Sequence, residues 1–89
     1  MWDWDEPKRQ ANLTKHGVDF ILMDSFDWLT ADVWTDDRYD YGEVRKCALG
    51  LIGERLCYAA YTERGSNRRL ISLRKANERE RQKWNTSAK

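Results

Sequence analysis

Residues 61–76, YTERGSNRRLISLRKA, gather one carboxylate and five cations around a short turn, and a single histidine, His16, stands far upstream. These residue types suit phosphate chemistry. His16 is the only side chain whose ordinary pKa lies near neutrality, so the search for a general acid or base begins there. Its place at the end of a predicted helix, just before Gly17, also suits a plain favourable contact with the helix dipole. Glu63 and Arg64 are the second pair of interest. A carboxylate can accept a proton from a ribose 2′-hydroxyl, and a guanidinium can stabilise charge on the phosphate that the 2′-oxygen attacks. An ion pair beside a loop would use the same two residues.

The strand that follows carries Arg68, Arg69, Ser72, Arg74 and Lys75. Strict alternation puts Arg68, Leu70, Ser72 and Arg74 on one face and Arg69, Ile71, Leu73 and Lys75 on the other. The second face, with two aliphatics in its middle, is the expected core side. The first is the expected open side, where forked guanidinium groups can grip phosphate. Tyr58 and Tyr61 add rings on which an unpaired base could stack.

These residues need a frame. The 89 residues fit one domain, 1–89, with 40% hydrophobic and 35% charged residues. A net charge of +1 hides an asymmetry: residues 1–43 hold 11 acidic against 4 basic side chains, and residues 44–89 hold 4 against 12. The basic half can face phosphates, and the acidic half can meet a basic protein partner. Two cysteines without a CxxC, and one histidine, fall short of a structural zinc site, so no metal or cofactor is expected. Cys47 and Cys57 read as small core residues of predicted strands. With no leader, lipidation motif or long apolar run in the sequence, both thiols should be reduced in a cytoplasmic protein. No GxGxxG, P-loop, Ser-His-Asp or paired-carboxylate pattern is present.

Asp5 and Pro7 mark a helix start, and Gly17 its stop after His16. Asp19 caps a second, short apolar helix, with Val18 packing on Met23. The periodicity then becomes β-like: LTADVWT, EVRKCALGLI, RLCYAAYT and RRLISLRK are separated by turns at DDRYDYG, Gly53-Glu54 and RGSN. Asn77 with Glu80 forms a capping box for a C-terminal helix reaching about Trp84, on which Glu78–Arg81 and Glu80–Lys83 are spaced to pair. The expected fold is α+β: two N-terminal helices, a four-stranded antiparallel meander sheet and a C-terminal helix.

Four ordered motifs resemble the BrnT family of bacterial type II toxin–antitoxin modules. They are WDxxKxxxN (Trp4, Asp5, Lys8, Asn12), KHGVxF (Lys15–Phe20), DxRxDYGExR (Asp36–Arg45) and YTERG with RxISxRKA (Tyr61–Ala76). Ser66 and Trp84 depart from the family's usual residues. The resemblance covers residues 2–84 and implies a RelE-like ribonuclease fold. It implies metal-independent RNA cleavage that inhibits translation in the bacterial cytoplasm. It also implies a BrnA-like ribbon-helix-helix antitoxin through which alone operator DNA would be bound. The matching positions name His16 or Glu63 for proton transfer, with Arg64, Arg74 and Lys75 on the scissile phosphate. Lys15, Arg68, Arg69, Ser72 and Tyr61 would contact RNA. A bulge would be needed to bring Arg69 to the face of Arg74. The competing expectation is a non-catalytic RNA- or antitoxin-binding module acting as a co-repressor. A small DNA-binding regulator lacks a recognisable helix-turn-helix.

Overall fold

The structure, a computed structural model, describes residues 2–38, 40 and 42–86. Helix α1 spans Glu6–His16, with Pro7 in its first turn and Gly17 ending it in the left-handed region, at φ 71°. The Gly17 N–H closes the last turn by donating to Leu13 O at 2.8 Å, a geometry that glycine alone adopts without a steric cost. Asp5 has the extended backbone of an N-cap, but its side chain makes no capping hydrogen bond. Asp19 does cap, accepting from Ile21 N. The segment it starts, Phe20–Ser25, is a 3-10 helix and not the second α-helix expected. Six residues, with Phe20 and Met23 both buried, favour this tighter winding, which keeps side chains three apart on one face.

Among the described residues five strands follow the order β1-β5-β4-β3-β2, one more than expected. Strands β2 (Asp32–Asp36), β3 (Arg45–Ile52), β4 (Arg55–Arg64) and β5 (Asn67–Lys75) form the antiparallel meander. The additional strand, β1 (Trp2–Asp3), runs parallel to β5 and pairs Trp2 with Arg68 and Asp3 with Arg69, which makes the sheet mixed. Two residues are too short for any periodicity to reveal. What holds them is Trp2, whose ring lies 6.0 Å from Trp28 and 5.3 Å from Tyr61. The β4–β5 turn is Gly65-Ser66, between the paired Arg64 and Asn67. Its positive φ at Gly65 is the first-position glycine of a tight II′ hairpin. Helix α2, Glu78–Thr86, begins at the expected capping box, where Asn77 N donates to Glu80 Oε1 and Glu80 N to Asn77 Oδ1.

Each sheet face has its own apolar cluster. One joins Val18, Phe20, Met23 and Phe26 to Ala59, Tyr61, Leu70 and Leu73, beneath α1 and the 3-10 helix. The smaller one joins Leu49, Leu56 and Ala76 to Trp34, Tyr58 and Trp84, on the side of α2. Both cysteines are free and buried, as their strand positions suggested.

One irregularity decides which residues share a face. Ala60 pairs with Ser72 and Tyr61 with Leu70, so Ile71 is an extra, unpaired residue in β5. Such a bulge inverts the alternation on one side of it. Leu70 and Leu73 are therefore the two buried residues of β5, not Ile71 and Leu73. Arg69, Ser72 and Arg74 share the α2 face with Thr62, Ala60 and Tyr58, and Arg68 moves to the α1 face with Glu63. The expected places of Arg68 and Arg69 are thus exchanged.

Candidate active site

Asn12 fixes α1 against the edge of β5. Its Nδ2 donates to Leu73 O at 2.7 Å and Val18 O at 3.0 Å, and its Oδ1 accepts from Leu73 N at 3.2 Å. The side-chain amide thereby mimics a neighbouring strand at a point β1 does not reach, and satisfies backbone groups that burial would otherwise leave costly. One turn later α1 ends at His16. Burial pushes the His16 pKa below its ordinary value, and the positive charges of Lys15 and Arg74 push it the same way. The helix dipole would favour the imidazolium, but here desolvation and two cations win. A neutral imidazole beside a guanidinium can accept a proton at neutral pH.

Arg74 is held on three sides. Its guanidinium lies 4.2 Å from the Tyr58 ring centroid, donates to both oxygens of Glu80 at 2.8 and 2.9 Å, and reaches Lys75 O. The Glu80 bond raises the Arg74 pKa. Burial raises that of Glu80, but the bonds from Arg74 and the Asn77 N–H outweigh it and leave the carboxyl below its ordinary range. The expected Glu80–Lys83 pair gives way to this one, and Lys83 sits over Trp34 instead, 4.3 Å from its ring. Ser72 lies on the same face, and Arg69 meets Asp3 at 3.4 Å. Lys15 and Lys75 are exposed.

Glu63 and Arg64 do not join this group. Glu63 pairs across from Arg68, and Arg74 from Tyr58; five residues of β4 separate the two positions, roughly 17 Å at the rise of a strand. As neighbours in a strand the two also face opposite ways. Glu63 is bound to Lys46 at 2.6 Å, whose hydrogen bond lowers its pKa. Arg64 is bound to Glu43 at 3.0 Å. Tyr61 is 3% exposed and offers no ring face to a base. Arg68 caps its cluster, 4.7 Å from the Trp28 centroid and 5.7 Å from that of Trp2. Tyr41, within the third motif, lies outside the described residues. The nominated residues thus fall into two groups: His16, Lys15, Ser72, Arg74 and Lys75 at one end of β5, and Glu63, Arg64, Arg68 and Arg69 at the other.

Next to Arg74 opens a cleft of about 350 Å³, lined among others by Trp34, Arg38, Tyr58, Asn77, Arg79 and Glu80. Sequence reasoning nominated none of Trp34, Arg38, Arg79 or Glu80. Asn77 and Glu80 were legible only as a cap, and their second duty depends on α2 folding back onto Tyr58. Within the same cleft Cys47 Sγ and Tyr58 Oη are 2.9 Å apart. Burial raises both pKa values, so neither a thiolate nor a phenolate is poised there. Among the described residues no three His, Cys, Asp or Glu side chains cluster to hold a metal ion, and no helix is long and apolar enough to cross a membrane.

Comparison with curated proteins found no match. A protein-family model described as "Ribonuclease toxin, BrnT, of type II toxin-antitoxin system" matches residues 4–80, a span from Trp4 through the Asn12 anchor, His16 and Arg74 to Glu80. The chain therefore belongs to the BrnT family of ribonuclease toxins.

Proposed function

We propose that this protein is a metal-independent endoribonuclease whose reacting groups lie where the end of α1 meets the end of β5. The carrying observation is His16, kept neutral by burial and by Lys15 and Arg74. His16 takes the proton of a ribose 2′-hydroxyl as the 2′-oxygen attacks the adjacent phosphorus. The P–O5′ bond breaks, a 2′,3′-cyclic phosphate remains, and water protonates the departing 5′-oxygen. Arg74 stabilises the charge that builds on the phosphate oxygens, and Lys75, whose side chain leaves the other face of β5, adds positive charge at that end of the strand. Lys15, Arg69 and Ser72 hold the strand on either side. Glu63 is the weaker choice for the base, since its lowered pKa and Lys46 partner oppose proton uptake and about 17 Å separates it from Arg74.

As a toxin of a type II module the protein has an antitoxin partner. We take this partner to be BrnA-like, with a ribbon-helix-helix half that carries the complex to operator DNA, and the toxin fold to be RelE-like. A second reading, a non-catalytic binding module, draws on the ion pairs that occupy Arg64, Arg74 and Lys46. One experiment separates them: purified protein on a synthetic RNA, with and without chelator, beside His16→Ala and Arg74→Ala. Cyclic-phosphate products that survive the chelator and vanish in both variants support the enzyme. Intact RNA with wild-type protein, together with no growth arrest on expression, supports the binding module.

A further inference from the structure

The bidentate pair of Glu80 on Arg74 has the form in which a guanidinium grips a phosphate. It stands in a cleft that two more guanidinium groups also line, Arg79 and Arg38, the latter itself forked onto Asp36. We infer that this cleft is a second phosphate subsite, which takes the phosphodiester next to the scissile one, and that the Glu80 carboxylate stands in for that phosphate until RNA displaces it. The inference rests on RNA being the substrate, but not on which residue is the base.

Three features carry it. First, Glu80 Oε1 and Oε2 lie 2.8 and 2.9 Å from the two Arg74 nitrogens, and both side chains are mostly shielded, 28% and 16% exposed. Second, Arg74 belongs both to this cleft and to the group around His16, so once Glu80 leaves, the Arg74 fork is shared between the scissile phosphate and the next one along the strand. Third, the element supplying the carboxylate is held lightly, because α2 has no buried residue of its own. Its attachments are Trp84 at the edge of the smaller cluster, Lys83 over Trp34 and Glu80 itself. Rotating the Glu80 side chain away therefore costs its bonds to Arg74 and to the Asn77 N–H without dismantling a core. The Trp34 and Tyr58 rings are already covered by Lys83 and Arg74, so the ligand chemistry is that of a phosphodiester and not of a stacked base.

The test is binding of a 2′-O-methyl RNA oligonucleotide, which lacks the attacking hydroxyl and cannot be cut, followed by fluorescence anisotropy over a range of salt. Glu80→Gln keeps the shape of the side chain and removes its charge. It is expected to bind about three- to tenfold more tightly, with a salt slope steeper by about one phosphate contact. Arg79→Ala and Arg38→Ala are expected to bind more weakly, each with a slope shallower by about one. A folded Glu80→Gln protein with unchanged or weaker affinity overturns the inference. Should that variant loosen α2, unchanged affinity in both arginine variants overturns it instead. Failure of wild-type protein to cleave ordinary RNA would sink the cleavage reading and leave this binding result standing.

Discussion

Replacing Asn12 by alanine should cost this protein about 3–5 kcal/mol of stability, all of it through bonds to backbone groups. The figure follows from its three bonds. The 2.7 Å and 3.0 Å donations to Leu73 O and Val18 O and the 3.2 Å acceptance from Leu73 N contribute roughly 1 kcal/mol each, and every buried partner left unpaired adds up to about 2 more. Asn12 is only 7% exposed, so water can relieve part of the loss but not all of it. Against total stabilities of about 5–15 kcal/mol for small domains, the variant should be marginal at room temperature. Urea unfolding followed by tryptophan fluorescence reads the difference, since five Trp report on both clusters. Asn12→Asp sharpens the test. The new carboxylate can still accept from Leu73 N, but it has no proton for the two carbonyls and places negative charge against Leu73 O. It should therefore destabilise at least as much at pH 7 and recover in part on acidification, when a carboxylic acid can donate once. A loss below about 1 kcal/mol for alanine would refute the account, because α1 would then be held to β5 by something else. The same variant should also loosen His16 from Arg74, visible as a histidine titration moving toward its ordinary 6.5.

Other outcomes follow from the same geometry. As the chain has one histidine, its NMR titration is unambiguous, and Lys15→Gln should raise the His16 pKa by removing one of the charges that lower it; no change would discount that charge. With the folded pKa below 6.5, the unfolded chain binds more protons in the window just under 6.5. This contribution to stability is full above that pH and lost as pH falls through the window, a slope His16→Gln should flatten in urea melts across pH 5–7. Gly50→Ala should cost about 1–3 kcal/mol by overpacking, since a Cβ there would meet Phe26 Cζ at 2.5 Å and Ala31 Cβ at 3.1 Å; an unchanged melting temperature would show that Phe26 can move aside. Glu63→Gln should leave RNA cleavage within a few-fold of wild type, and abolished cleavage in a folded variant would return Glu63 to the centre of the mechanism.

Much of the scaffold was legible before any coordinates because its signals are local. Gly17 ends α1, Asp19 caps the next segment, and Asn77 with Glu80 opens α2, each through contacts within a few residues. The hairpins at Gly53 and Gly65 likewise fall where turn chemistry put them. Strand β1 was not legible, for two residues show no period, and what fixes Trp2 is a set of rings far away in the chain. The 3-10 winding of Phe20–Ser25 also depends on which face the sheet covers, and that is a tertiary fact.

The candidate site was legible in its residue types and misread in its grouping, and the sheet explains why. Glu63-Arg64 looks like a reactive pair because the two are adjacent in sequence, but adjacency within a strand sends side chains to opposite faces. What brings groups together in a sheet is register, and register here passes through the bulge at Ile71. That one residue moves Arg69 to the face of Ser72 and Arg74 and sends Arg68 to stack on Trp28. His16 reaches the same end of β5 by a different route, through an asparagine four residues earlier that binds a strand edge as another strand would. Deleting Ile71 should therefore leave every remaining residue on its present face. With the extra residue gone, Leu70 stays opposite Tyr61 and Ser72 opposite Ala60, strict alternation keeps Arg69, Ser72 and Arg74 together, and the chain should still fold; a variant that cannot fold would show that something other than this bulge sets the faces.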